Sequence, residues 1–130
     1  MITAVVVDDH PVVVAGVRAW CALADPPITV VDSGPTLATA VVGPGAEADV
    51  VVLDLQLDLS GPAYGNLKWL VDAGRRVVVS TMRDDQDNHP ALMKRYGGRR
   101  IRYASLYGCG VPMTARITRQ LQADLIGVAR

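Results

Sequence analysis

Two adjacent aspartates, Asp8 and Asp9, follow the run Ile2-Thr3-Ala4-Val5-Val6-Val7, and Asp54 follows the run Val50-Val51-Val52-Leu53. Carboxylates brought together repel one another, so a cluster of them calls for a hard cation such as Mg²⁺, which takes oxygen ligands. A carboxylate held beside that ion can also take a phosphoryl group, because the metal offsets the charge on the transferred oxygens. The spacing suits such a meeting. Runs of about five β-branched or aliphatic residues read as fully buried strands of a parallel sheet. In an open parallel sheet, ligands bind beyond the carboxyl ends of the strands. With both runs as central strands, Asp8, Asp9 and Asp54 share one sheet edge.

The elements that must position them alternate between strand and helix patterns, which predicts βαβ units. Strands are expected at about Thr3–Val7, Ile28–Asp32, Val50–Leu53 and Val77–Ser80. A helix from Pro11 to about Ala24 carries the apolar stripe Val13, Val17, Trp20 and Leu23 or Ala24, with Pro suited to its first turn. Asp25-Pro26-Pro27 stops it. A short helix is expected near Thr36–Val42, closed by Gly43-Pro44-Gly45. Another runs from about Ala63 to Asp72, with Leu67, Leu70 and Val71 inward and Gly74 as its cap. The last third suggests a short helix at Pro90–Tyr96, an edge strand at Arg100–Ser105 and a final helix from Thr114 through Val128.

Composition bounds the classes. The chain has 130 residues, half of them hydrophobic, enough for one domain with a real core. No uninterrupted apolar run approaches a membrane span, and Met1 opens straight into a strand pattern without a secretory signal. Cys21 and Cys109 are too few and too far apart for a disulfide framework or a metal site. Reduced thiols and a cytoplasmic location are the expectation. Net charge is zero, yet residues 1–72 hold nine acids and two bases, so the remainder carries the opposite excess. Lys94, Arg95, Arg99, Arg100 and Arg102 crowd together there. No aromatic stacking pattern or DNA-binding motif accompanies them, which favours a solvated face over a nucleic-acid surface.

Val6-Val7-Asp8-Asp9-His10-Pro11-Val12-Val13-Val14-Ala15-Gly16-Val17-Arg18 resembles the opening of a response-regulator receiver domain, most of all the NarL/FixJ class. Residues 51–57 resemble its phosphoacceptor strand, and residues 77–85 its fourth strand with the switch hydroxyl. The likeness is good from residue 1 to about 85. It implies a flavodoxin-like, doubly wound five-stranded parallel sheet of order 2-1-3-4-5, helices on both faces, with residues 86–112 irregular. Asp54 is then the phosphoacceptor. Asp8, Asp9, Asp54 and the backbone carbonyl of Gln56 hold Mg²⁺, and Thr81 is the switch hydroxyl. On position alone, Asp54 also reads as a turn aspartate and Thr81 as the N-cap of the next helix. Tyr103 matches the family's strand-five aromatic, and equally an ordinary edge-strand residue.

The family pattern is broken at two places. Receivers carry a lysine at the end of strand five, but the two lysines here, Lys68 and Lys94, lie elsewhere. The loop after the acceptor has Asp58 where proline is usual. The Arg/Gly-rich stretch 95–110 fits no receiver pattern. The expected function is therefore a two-component receiver, a phosphoryl acceptor and not an enzyme, spanning residues 1–130. The alternative is a degenerate receiver acting as a phosphorylation-independent dimerisation or ligand-sensing module. A small aspartyl phosphotransferase of another fold would want a second acid two positions after its nucleophile, and Asp8-Asp9-His10 lacks that. The resemblance implies a sensor histidine kinase as partner, and DNA binding only through an output domain that these residues do not contain. A homodimer is expected through the final helix, with its apolar stripe Ile117, Leu121, Leu125 and Val128 beside Arg116 and Arg119.

Overall fold

Alternation along the strands sorts their side chains onto two faces of one sheet. The computed structural model describes residues 2–54, 64–81, 101–105, 122–123 and 125–127. The chain order is β1 (Ile2–Val7), α1 (Pro11–Ala22), β2 (Ile28–Gly34), α2 (Ala38–Val41), β3 (Val50–Asp54), α3 (Tyr64–Asp72), β4 (Val77–Thr81) and β5 (Ile101–Ser105), with a 3-10 turn at Gly43–Glu47 after α2. The strands form one parallel sheet in the order β2-β1-β3-β4-β5. That is the predicted doubly wound topology. The expected helix at Pro90–Tyr96, the rest of the 86–112 stretch apart from β5, and most of the expected helix from Thr114 through Val128 lie outside the described residues; of the last, residues 122–123 and 125–127 are described and are helical.

Ala4, Val6, Val50, Val52 and Val78 bury on one face, against Val13, Val17 and Cys21 of α1 and Leu125 of a C-terminal helical segment. Val5, Val7, Val51, Leu53, Val77 and Val79 bury on the other, against Ala40 of α2 and Leu67 and Leu70 of α3. Both faces of β1 and β3 are covered, which is why these strands carry unbroken runs of valine instead of polar alternation.

Helix α1 ends at Ala22, earlier than expected; its buried stripe is Val13, Val17 and Cys21, and Ala24, just past its end, is buried with them. Leu23 is exposed, and Trp20 is half-buried at the margin. Spacing of four residues favours Cys21 over Trp20 as the third member of the stripe, and of the two expected end positions Ala24 is the inward one. The carbonyl of Trp20 accepts a bond from Gln122 Nε2 at 2.6 Å, tying α1 to the C-terminal segment. Helix α3 ends as expected. Gly74 adopts φ 78°, its N–H donates to Val71 and the Arg75 N–H to Leu70, a left-handed cap that suits glycine.

Two further features set the sheet. The β1–β2 ladder runs Ala4↔Val30 and then Val5↔Asp32, so Val31 is an extra residue in β2, a bulge. At the opposite end, the Arg75 guanidinium donates to the carbonyls of Ala40 at 2.6 Å and Gly45 at 2.9 Å. It thereby fastens the α3–β4 turn to α2 and the 3-10 turn.

Candidate functional site

The ladder itself brings the acids together. Val6 pairs with Val52 and Val7 with Leu53, so the next positions along the two strands are Asp8 and Asp54. Adjacent strands lie about 4.8 Å apart. Asp8 and Asp54 also share the alternation of Val6 and Val52, which places them on the α1 side of the sheet. Both are buried. Asp9, next in sequence, is partly exposed at the mouth. The Asp8 N–H donates to the carbonyl of Gly34 at 3.0 Å, so the end of β2 fixes the turn out of β1.

His10 joins them, a role that the sequence reading did not assign. It is the N-cap of α1 but makes no side-chain cap bond; its carbonyl accepts the first helical bond, from Val14. The Asp8 carboxylate accepts the His10 backbone N–H at 2.8 Å. The ring turns back over the sheet edge. Its Nδ1 lies 2.7 Å from Asp8 Oδ1, 3.0 Å from Asp9 Oδ1 and 3.4 Å from Asp54 Oδ2. The hydrogen bond to Asp8 raises the His10 pKa, burial opposes it, and the charges of Asp8, Asp9 and Asp54 add to the rise. The signal in the sequence was the Asp-x-His spacing, which lets an aspartate accept from the backbone two residues on.

One potential ligand atom from each of Asp8, Asp9, His10 and Asp54 lies within 4.8 Å of the others. Three carboxylates on a rigid sheet edge form an oxygen-rich donor set, and a hard divalent cation fits it. Asp8, Asp9 and Asp54 would hold Mg²⁺ there. Gln56, the fourth expected oxygen donor, and Asp58 lie outside the described residues.

Thr81 closes β4. Asp54 pairs with Ser80, and Thr81 pairs with Ser105 of β5. The backbone of Thr81 therefore stands one residue beyond the partner of Asp54, on the same sheet edge; the position of its hydroxyl lies outside the described residues. β5 reads Ile-Arg-Tyr-Ala-Ser, and no lysine stands in it.

A cleft of about 450 Å³ opens beside the acids, lined by Asp8, Asp9, Pro11, Val14, Arg18 and Gly34 among others. Arg18 spans from α1 to β2, donating to the Val30 carbonyl at 3.3 Å and the Ser33 hydroxyl at 3.0 Å. Among the described residues no helix is long and apolar enough to cross a membrane.

No protein-family model matches the sequence, and no curated protein matches it. Solved structures do. The response regulator ChrA of a heme-sensing two-component system is 25% identical with a TM-score of 0.67, over 98% of this chain and 56% of that one. The chain thus spans about half the length of that regulator. RcsB from Salmonella enterica serovar Typhimurium, bound to promoter rprA with the phosphomimetic BeF3⁻, gives 18% identity and a TM-score of 0.72, over the whole of both chains. The receiver domain of the Francisella response regulator 1452 gives 14% and 0.70, over 99% of this chain and 97% of that one. The chain is similar to response-regulator receivers and has their fold.

Proposed function

We propose that this chain is a two-component receiver that accepts a phosphoryl group on Asp54. The observation that carries the reading is the meeting of Asp8, Asp9 and Asp54 at one edge of a receiver-type sheet. A carboxylate oxygen of Asp54 attacks phosphorus as the bond to the donor's leaving group breaks, which leaves an acyl phosphate on Asp54. The bound Mg²⁺ would supply charge neutralisation for the transferred oxygens. Asp8 and Asp9 hold that charge in place, and the Thr81 hydroxyl donates to the new phosphoryl group. A sensor histidine kinase is the donor this reading implies. The chain acts as an acceptor and not as an enzyme, in the cytoplasm, as a homodimer, and reaches DNA through an output domain. Acetyl phosphate with Mg²⁺ should add one phosphoryl group by intact mass, and Asp54→Asn should abolish the addition. No added mass to the native chain would end the acceptor reading.

The sequence of β5 favours a second reading, a degenerate receiver that works without phosphorylation. An ammonium at the end of that strand would contribute a charge-assisted bond worth roughly 1.5–3 kcal/mol. A tenfold change in population takes about 1.4 kcal/mol, so Thr81 alone is a weak lever. Amide spectra before and after acetyl phosphate separate the readings. Large shifts in the phosphorylated chain across residues 81–105 support a working switch; shifts confined to the surroundings of Asp54 support a decoupled one.

A further inference from the structure

We propose that His10 is a cation ligand at the Asp8–Asp9–Asp54 site and sets its specificity, turning it from Mg²⁺ toward a divalent transition metal that accepts imidazole nitrogen, Zn²⁺ above all. The inference rests on the cation-binding part of the receiver reading. It starts from where the ring is. Nδ1 does not sit at the rim; it is within 3.4 Å of an oxygen of each of the three aspartates. An ion drawn to those oxygens replaces the proton that Nδ1 shares with Asp8 Oδ1, which leaves for solvent while the neutral ring keeps its proton on Nε2, and the ion then meets the Nδ1 lone pair.

The ring is also anchored. The His10 N–H is held by the Asp8 carboxylate, and its carbonyl by the first turn of α1. Pro11 follows at the first helical position, with its φ fixed. The backbone that carries the imidazole is therefore held on both sides, and the ring itself is held by Asp8 Oδ1 at 2.7 Å. The four groups have the spread of a single coordination sphere. Ligands on opposite sides of one octahedral ion stand about 4.2 Å apart at bond lengths near 2.1 Å, and the atoms here lie within 4.8 Å of one another.

The consequence follows from ligand chemistry. Mg²⁺ takes carboxylate, carbonyl and water oxygens, and gains nothing from imidazole; it must displace the ring or leave it aside. Zn²⁺ binds imidazole and carboxylate together. Carboxylates alone already bind Zn²⁺ more tightly than Mg²⁺, so the preference itself proves nothing; its dependence on His10 does.

The test is calorimetric titration of the intact chain with Mg²⁺ alone and with Zn²⁺ alone, repeated for His10→Ala and His10→Gln. The ring is half exposed, so neither change opens a core, and the amide spectrum checks the fold. Zn²⁺ affinity should fall by at least about tenfold in both variants, a loss already typical of removing a group that only orients a ligand. Mg²⁺ affinity should stay or rise. Electron paramagnetic resonance with Cu²⁺ as probe should show nitrogen coupling in the native chain that both variants lose. An unchanged ratio of Zn²⁺ to Mg²⁺ affinity, with Mg²⁺ still bound, overturns the role of His10 and leaves the receiver reading intact. Binding of neither cation overturns both.

Discussion

His10 and Asp8 are joined twice through one oxygen: Asp8 Oδ1 accepts the His10 backbone N–H at 2.8 Å and stands 2.7 Å from the ring Nδ1. The arrangement makes stability depend on pH. The His10 pKa is raised above its ordinary value of 6.5, chiefly by the bond to Asp8. A proton held more tightly in the folded chain than in the unfolded one stabilises the fold. That contribution is fully present below about pH 6.5 and is lost as the pH climbs through the raised value. Denaturant midpoints measured across that window should fall in the native chain more than in His10→Ala. Parallel curves for the two proteins would sink the prediction.

Gly34 is expected to tolerate no side chain. Its carbonyl takes the Asp8 N–H, and a Cβ there would run into the Thr39 hydroxyl. Gly34→Ala should cost about 1–3 kcal/mol, the usual range for overpacking. The displaced carbonyl should also weaken cation binding at Asp8. Thermal unfolding and a Mg²⁺ titration, run on the same variant, read the two effects separately.

Leu67 and Val12 give a matched pair. Leu67 is fully buried between α3 and the sheet, and Val12 is 85% exposed on the first turn of α1. Leu67→Ala should lose about 2–5 kcal/mol by cavity formation. Val12→Ala should stay within about 0.5 kcal/mol of the native chain. Equal losses in chemical denaturation would show that the α3 face is not the packed core described.

Arg75→Lys should behave nearly as badly as Arg75→Ala. The guanidinium reaches the carbonyls of Ala40 and Gly45 with two different nitrogens, and a single ammonium cannot copy that fork. A loss of about 1–3 kcal/mol is expected for leaving such carbonyls without their donor. Full recovery of stability by lysine would mean that charge alone matters here.

The valine runs made the sheet legible. Their unbroken apolar character required strands covered on both faces, and the aspartates at their ends required a common edge. The cap at Gly74 was equally readable, because one residue type solves that local geometry. What stayed hidden depended on contacts between distant parts. Arg75 reaches carbonyls 30 and 35 residues earlier, and no local pattern announces that. Cys21 is hard to pick out beside Trp20 in the sequence, because a large aromatic looks more like core than a thiol does. The packed helix prefers the residue at the right angle around its axis, and Cys21 is completely enclosed. His10 was visible as a residue next to the acids, but its direction came from the turn that Asp8 makes.

The bulge at Val31 has a consequence for how chain length couples to the acids. Past it, β2 is offset by one place, so Ser33 and Gly34 stand level with Val6 and Val7. A strand advances about 3.3 Å per residue. Pairing Val31 in a regular ladder would set Val31, Asp32 and Ser33 level with Val5, Val6 and Val7, and Ser33 would stand where Gly34 now receives the Asp8 amide. The spare residue works as a spacer that sets how far the second strand reaches, and the reach, not the ladder's regularity, is what the acidic edge needs.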